Sequence, residues 1–512
     1  MNKKFTSTIA GASILITSVG LLSRGFGFLR EIIFAAYFGL GIDFEIYLIA
    51  SVIPVTINTV LLYLGQNYYI PIHARIKNEG IKNETELFIR VIISFFLGGI
   101  VLGILLFALS DYLLTIYLSG ANPAKIKTAL IIFRILIITL PLNAAISILS
   151  AHLQAQRKFS IPALAQLFTN FSVIIFVPLL SNGIGIVIIP TAYLIGSFVQ
   201  LIFLIIKIKN TLSLDKSKIF RDSFSHFKIY SSKSLLLIIV IEILGQFYLI
   251  IDRYFYDKVE PGGIAALNYA ITVYYLPIAI LSVALSTAIF PSFSEHLQNK
   301  SSEEFVTKVN NSLSVNTFLF SPIFILLFFY GNILIKLFFQ RGNFSLVDTQ
   351  MTFSALQYFS LSVIFYSIYA ILNKILYGAR LIEHLLIISL IGIIIKLVFN
   401  YILVGSMKHN GLALSSSLSY TFICLISVLV LSRKFKIPLH VILGKNAIVS
   451  IINSIFSYFI TLIIVAPFLL DNFLDTIVRI FLFVAIYLFN AYCLRDHSIF
   501  LLKEAWISYK KS

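Results

Sequence analysis

Residues 23–54 read SRGFGFLREIIFAAYFGLGIDFEIYLIASVIP, an apolar stretch interrupted by Arg24, Arg30, Glu31, Asp43 and Glu45. How those charges are read decides the fold. An arginine at the centre of a bilayer costs roughly 3 kcal/mol on insertion scales, and it normally faces a protein interior or a water-filled cavity. In a soluble protein the same side chains would simply be solvated.

The rest of the chain argues for the bilayer. Of its 512 residues 59% are hydrophobic and 12% charged, with a mean hydropathy of +0.96. That is the composition of an integral membrane protein. Apolar stretches of about 18–25 residues, enough to cross a hydrocarbon core of roughly 30 Å, fall near 9–38, 46–69, 88–109, 129–152, 161–180, 185–206 and 234–252. Seven more fall near 264–290, 313–337, 352–377, 383–404, 411–431, 447–468 and 474–494. The pattern predicts an all-α integral membrane protein with fourteen transmembrane helices. The N-terminus MNKKFTSTIAGASILITSVGLL starts like a signal peptide, but apolarity continues through Ala36 without a small-residue cleavage site, so it reads as a retained span.

An even number of spans puts both termini on one side, and the basic residues say which. With cytoplasmic termini the inner segments hold 26 of the 39 lysines and arginines and the outer segments 7, the other six lying within or at the edges of spans. This is a positive-inside distribution. It explains the net charge of +17 without a nucleic-acid partner.

The longest polar stretch between spans, KIKNTLSLDKSKIFRDSFSHFKIYSSK at 207–233, separates two sets of six helices. The sets look related. YIPIHARIKN around Pro71 pairs with IFPSFSEHLQN around Pro291, LQAQR ending at Arg157 with LYGAR ending at Arg380, and NGIG at Asn182 with NGLA at Asn410. Three matches in one order suggest a duplicated six-helix unit, and two such lobes normally enclose a substrate cavity. The expected domains are an N-lobe over 1–206, a linker over 207–233, a C-lobe over 234–436, and two further helices with a cytoplasmic tail over 437–512.

Standard signatures for nucleotide phosphates, zinc or a nucleophilic serine do not occur in this sequence, which speaks against an enzyme. The two cysteines, Cys424 and Cys493, sit far apart in apolar segments and read as core or lipid-facing residues. The intramembrane charges are more informative. In a straight helix Arg24 and Arg30 point roughly 120° apart and are separated by roughly 9 Å along the axis, so they can flank one wide site but not clamp one small group. Gly25 and Gly27 between them can kink or unwind the helix, and Glu31 offers Arg30 a local ion pair. A cationic cavity suits an anionic headgroup such as a diphosphate, because guanidinium forks match phosphate oxygens. Glu45 and Pro54 are expected to flank the start of the second helix, with Asn58 one turn later.

The stretch 23–54 resembles the opening of the MurJ (MviN) lipid II flippases, with S-R-x-x-G-F-x-R-[DE] followed by an acidic residue nine positions before a proline. Arg24, Gly27, Arg30, Glu31, Glu45 and Pro54 match that pattern. GGIAALNYA with VALSTAIFPSFS, LFFQRGNFSLVDT, and NYILVGSMKHNGLALSSSLSY extend the similarity over most of 9–431. The resemblance implies two lobes alternating about a cationic cavity, and a last helix pair forming a groove for a polyprenyl tail. It implies as substrate lipid II, the undecaprenyl-diphosphate-linked peptidoglycan precursor, moved to the outer leaflet of the bacterial cytoplasmic membrane. It also carries the role of required cavity residues over to Arg24 and Arg30.

Two positions depart from the family. Arginines expected one turn after Pro54 and in the eighth helix are replaced by Asn58 and Thr272. Lys374, in the tenth helix, is the better candidate for compensating charge, and Asp252 with Arg253 reads as an ion pair at the outer interface. The less basic cavity keeps open a flippase for another polyprenyl-diphosphate-linked oligosaccharide, such as a capsule or O-antigen unit. A small-molecule antiporter fits the tandem arginines less well. A membrane glycosyltransferase would need a large extracytoplasmic catalytic loop. The expected protein acts as a monomer on a lipid-linked saccharide without a cofactor. Coupling to a monovalent ion or to membrane potential is open.

Overall fold

In a computed structural model the chain is described over residues 9–78, 84–118, 122–209, 233–282, 285, 302–435, 437, 444–465 and 473–503. The described residues are almost wholly helical: α1 Ile9–Phe38, α2 Ile42–Asn78, α3 Glu84–Tyr117, α4 Pro123–Ala155, α5 Ser160–Ala165, α6 Leu167–Ile184, α7 Ile188–Lys209 and α8 Lys233–Tyr254 come first. They are followed by α9 Gly263–Pro277, α10 Ser302–Phe329, α11 Gly331–Phe339, α12 Leu346–Ser360, α13 Val363–Gly378, α14 Ile382–Phe435, α15 Lys445–Val465 and α16 Phe473–Cys493. Most of the expected linker, 210–232, and the Pro291 half of one repeat match lie outside the described residues.

Among the described residues nine helices are long and apolar enough to cross a membrane, or ten if α12 and α13, bent by 53°, form one span. Two of the nine, Ser160–Lys209 and Ile382–Phe435, hold 50 and 54 residues. A straight rod of that length would be roughly 75–80 Å long, more than twice a hydrocarbon core. Each is in fact a hairpin. In the first, Gly185 takes φ 63 and Ser172 Oγ donates to Ala192 O across the turn. In the second, Lys408 takes φ 54, and Lys396 pairs with Ser416, Asn400 with Ser415 and Gly392 with Ser419. Contacts whose numbers run in opposite directions mean antiparallel helices.

The chain divides into two compact units, Met1–Asp257 with Arg341–Phe344, and Lys258–Gln340 with Ser345–Ser512. The division falls after α8 rather than in the expected linker, because α8 packs on α2.

In the first unit α2 and α4 form the central pair. Asn58 meets Thr139 and Tyr69 meets His152, so the two run parallel. Buried serines and threonines satisfy themselves on their own helix, as Ser147 does by donating to Ala144 O at 2.8 Å, which lets polar residues occupy an interior without water. Arg341–Phe344 seals the end of α1: Asn343 N donates to Ala36 O at 2.8 Å and Asn343 Nδ2 to Tyr37 O at 2.6 Å. Gly342 has φ +58, and a Cβ there would stand 2.1 Å from Ala36 O, so this turn admits only glycine.

In the second unit α15 and α16 pack together and on α10, where Tyr487 Oη donates to Phe318 O at 2.8 Å. Local geometry repeats between the units. Arg157 and Arg380 both take positive φ, 61 and 58. Their helices also close with the same bonds, Arg157 N to Gln154 O with Lys158 N to Leu153 O, and Arg380 N to Tyr377 O with Leu381 N to Leu376 O.

Candidate functional site

Helix α1 runs without interruption through Gly25 and Gly27, so the glycines do not unwind it. A Cβ at either would meet nothing within 4 Å, so packing does not explain them. Arg24 is exposed, whereas Arg30 is half-buried and firmly held. Its guanidinium donates to Glu31 Oε1 at 2.6 and 3.2 Å and to Asn170 Oδ1 on α6 at 3.4 Å. It also stacks over the rings of Phe34 and Tyr193, at 5.8 and 5.6 Å. Tyr193 on α7 shares a hydrogen bond with Tyr47 on α2, and Phe26 packs on Phe171 of α6 at 4.6 Å. Four helices thus fix Arg30 in a cradle that supplies one opposite charge and leaves guanidinium donors for a ligand.

Beside this cradle lies a cavity of about 460 Å³ inside the first unit, lined by α1, α2, α4, α5, α6 and α7. Asn58, expected as a substitute for a family arginine, is part of its wall and donates through Nδ2 to Thr139 Oγ1 at 2.8 Å. The cavity touches Ser23, the neighbour of Arg24, and Tyr193, the partner of Arg30. Its glutamines, Gln66, Gln154, Gln166 and Gln200, escaped the reading of the sequence. The available signal was their polarity within apolar spans.

Glu45 and Pro54 do not flank the start of α2. Glu45 lies in its first turn and Pro54 in its interior, because the helix begins at Ile42. Glu45 is fully buried, as nearly are Asp252 and Arg253. Arg253 feels both carboxylates, so the expected Asp252–Arg253 pair is a cluster of three that ties α8 to α2. In the turn after α8, burial and the charges of Glu45 and Asp257 push the Tyr256 phenol up to about 12.

The other two expected residues belong to the second unit. Thr272 on α9 is half-buried and donates to Asn268 O of its own helix at 2.8 Å. Lys374 on α13 is exposed. Near Thr272 the second unit is built from phenols: Tyr275 and Tyr420 hydroxyls lie 2.7 Å apart, Tyr274 bonds Ser362 at 3.0 Å, and the Tyr366 ring sits 4.5 Å from that of Tyr420.

The profile described as "Lipid II flippase MurJ" matches residues 34–489. A probable lipid II flippase of Buchnera aphidicola subsp. Schizaphis graminum is 27% identical over 497 residues, covering 92% of this chain and 94% of the relative. One from Borreliella burgdorferi is 27% identical over 455 residues, 86% of each. Among solved structures, a lipid II flippase MurJ in an inward closed conformation superimposes with a TM-score of 0.76 at 21% identity, over 94% of this chain and 99% of that one. A multidrug transporter of the MATE family superimposes at 0.67 with 14% identity, over 83% of this chain and 98% of that one. These likenesses to solved structures identify a shared fold.

Proposed function

The chain belongs to the lipid II flippase MurJ family, and on that premise we propose that it moves lipid II from the inner to the outer leaflet of the bacterial cytoplasmic membrane for cell-wall synthesis. The observation that carries this reading is the family match across residues 34–489. The protein is a multi-pass transporter that catalyses no covalent step.

Fourteen spans are the count we favour. The two overlong helices of Ser160–Lys209 and Ile382–Phe435 turn into hairpins, α12 with α13 makes one bent span, and α1 and α8 are 30 and 22 residues long. Both termini then lie in the cytoplasm. The identical helix ends at Arg157 and Arg380 support two pseudo-repeat lobes, over 1–206 and 234–436, with the last two helices outside the repeat.

In this mechanism Arg24 and Arg30 hold the diphosphate of a monomeric carrier while the polyprenyl tail stays in lipid. Arg30 is pre-oriented by Glu31, Asn170 and Tyr193, which lowers the ordering cost of binding. Gly27 leaves space beside the pair. In the first unit Asn58 offers neutral hydrogen bonds where a more basic cavity would offer charge; in the second, Thr272 and exposed Lys374 are further candidate substrate contacts.

The test is complementation. In cells depleted of their lipid II flippase, expression of this chain should restore growth and expose lipid II on the outer leaflet. Failure of a well-expressed, membrane-inserted chain would favour the second reading, a flippase for a different polyprenyl-diphosphate-linked oligosaccharide, which the neutral Asn58 in the cavity wall supports.

A further inference from the structure

We infer that the neutral cavity inside the first unit is a subsite for the N-acetylated sugars of the transported lipid, an inference that rests on the flippase reading above. At about 460 Å³ it falls within the range of small-molecule sites, roughly 300–1,000 Å³.

Its chemistry is selective. The wall carries six carboxamides, Asn58, Gln66, Asn143, Gln154, Gln166 and Gln200, together with seven serine or threonine hydroxyls and the Tyr193 phenol, and no charged side chain. A diphosphate requires cations, and a polyprenyl chain requires an apolar wall. Carboxamides present donor and acceptor together, which matches the hydroxyls and acetamido groups of an amino sugar.

The wall also has bonding capacity to spare. Gln200 is 7% exposed, and neither it nor Gln66, Gln154 or Gln166 makes a side-chain hydrogen bond to another described residue. Asn58 spends its amide on Thr139 while its Oδ1 is buried without a partner. A buried polar group left unsatisfied costs about 1–3 kcal/mol, which is the position of Asn58 Oδ1, while the glutamine amides keep donors and acceptors open toward the cavity, so the wall suits a polar ligand and water.

The spatial order matches the order of groups in the substrate. The cavity adjoins the arginine pair at two points, Ser23 next to Arg24 and Tyr193 stacked on Arg30. A diphosphate held by the arginines would therefore present its first sugar at the mouth of an amide-lined chamber.

The test uses the full chain in nanodiscs and two soluble probes, the neutral N-acetylglucosamine disaccharide and inorganic diphosphate, followed by ligand-observed NMR. Gln166→Leu with Gln200→Leu should weaken disaccharide binding about tenfold or more, as expected for loss of two hydrogen bonds, with diphosphate binding kept within about twofold. Arg24→Gln with Arg30→Gln should do the reverse. Absence of disaccharide binding to the unaltered chain, or unchanged affinity in the glutamine variant, overturns the inference. Should that variant lose both probes, Gln200→Glu replaces it at equal size: selective loss of the disaccharide supports the subsite, and parallel loss overturns it. Lipid II exposure in proteoliposomes is measured separately. A chain that binds both probes but moves no lipid II keeps the subsite and breaks the flippase reading.

Discussion

The first unit gathers charges and amides around its cavity, whereas the second gathers phenols and hydroxyls around Tyr275. Arg30 is presented by Glu31, Asn170 and Tyr193 beside an amide-lined cavity. In the second unit Tyr274, Tyr275, Tyr366 and Tyr420 bond and pack on one another and on Ser362. Yet the helix ends at Arg157 and Arg380 are closed by the same backbone bonds. The backbone at these two helix ends, set by turns and caps, is thus the same, while the side chains of the two units differ. On the function proposed above, the first unit is the binding half and the second a rigid counterpart held by its phenols.

The largest test removes the cations. Arg24→Gln with Arg30→Gln should reduce lipid II flipping in proteoliposomes by about a hundredfold or more, because two charge-assisted hydrogen bonds are each worth roughly 1.5–3 kcal/mol. Lys374→Gln, in the second unit, should cost less than about threefold, the range of an exposed charge. Equal losses would erase the asymmetry between the units. Adding Glu31→Gln to Arg30→Gln separates ligand binding from the local ion pair: stability should return and flipping should not.

The next effect is on stability. Arg253 is the cation that faces both Glu45 and Asp252, all three buried. Arg253→Ala should therefore destabilise the protein by about 3–5 kcal/mol, the usual cost of breaking a buried ion pair from one side, read as a lower unfolding temperature in detergent. Glu45→Gln together with Arg253→Met should recover part of it. No change in unfolding would mean that the α2–α8 contact is not held by charge.

Much of this was legible in the sequence, for reasons that particular residues make plain. The first span, 9–38, coincides with α1 because apolar length alone specifies it. Glu31, adjacent in sequence, was legible as the partner of Arg30. The substitution of Asn58 was visible too, but its bond to Thr139 was not, since a contact across 81 residues leaves no local pattern. The cavity was hidden for the same reason: Gln66, Gln154 and Gln200 come from three helices and Gln166 from the turn between α5 and α6, and each alone looks like an ordinary polar residue in an apolar stretch. Arg253 read as the partner of adjacent Asp252, whereas its second partner, Glu45, is distant in sequence and close in space. Arg341–Phe344 read as part of a family motif, and only the structure explains the motif as a seal on the end of α1.

The smallest effect sharpens the comparison most. Tyr275 Oη lies 2.7 Å from Tyr420 Oη, and its ring is 5.6 Å from that of Tyr366. Tyr275→Phe keeps the ring and its packing but deletes the hydroxyl's bonds to Tyr420 and Tyr366, so it should lower stability by about 1–2 kcal/mol and leave flipping unchanged. Tyr193→Phe makes the same chemical change in the first unit, and its stability cost should be similar. There, however, the lost hydroxyl releases Tyr47 and loosens the ring on which Arg30 stacks, so flipping should fall several-fold, on the order of one misplaced hydrogen bond. Two isosteric substitutions with equal stability cost and unequal transport cost would show that the units differ in function and not merely in composition. If Tyr275→Phe impairs flipping as much as Tyr193→Phe, the phenols of the second unit contact the substrate and the division into a binding half and a rigid half fails.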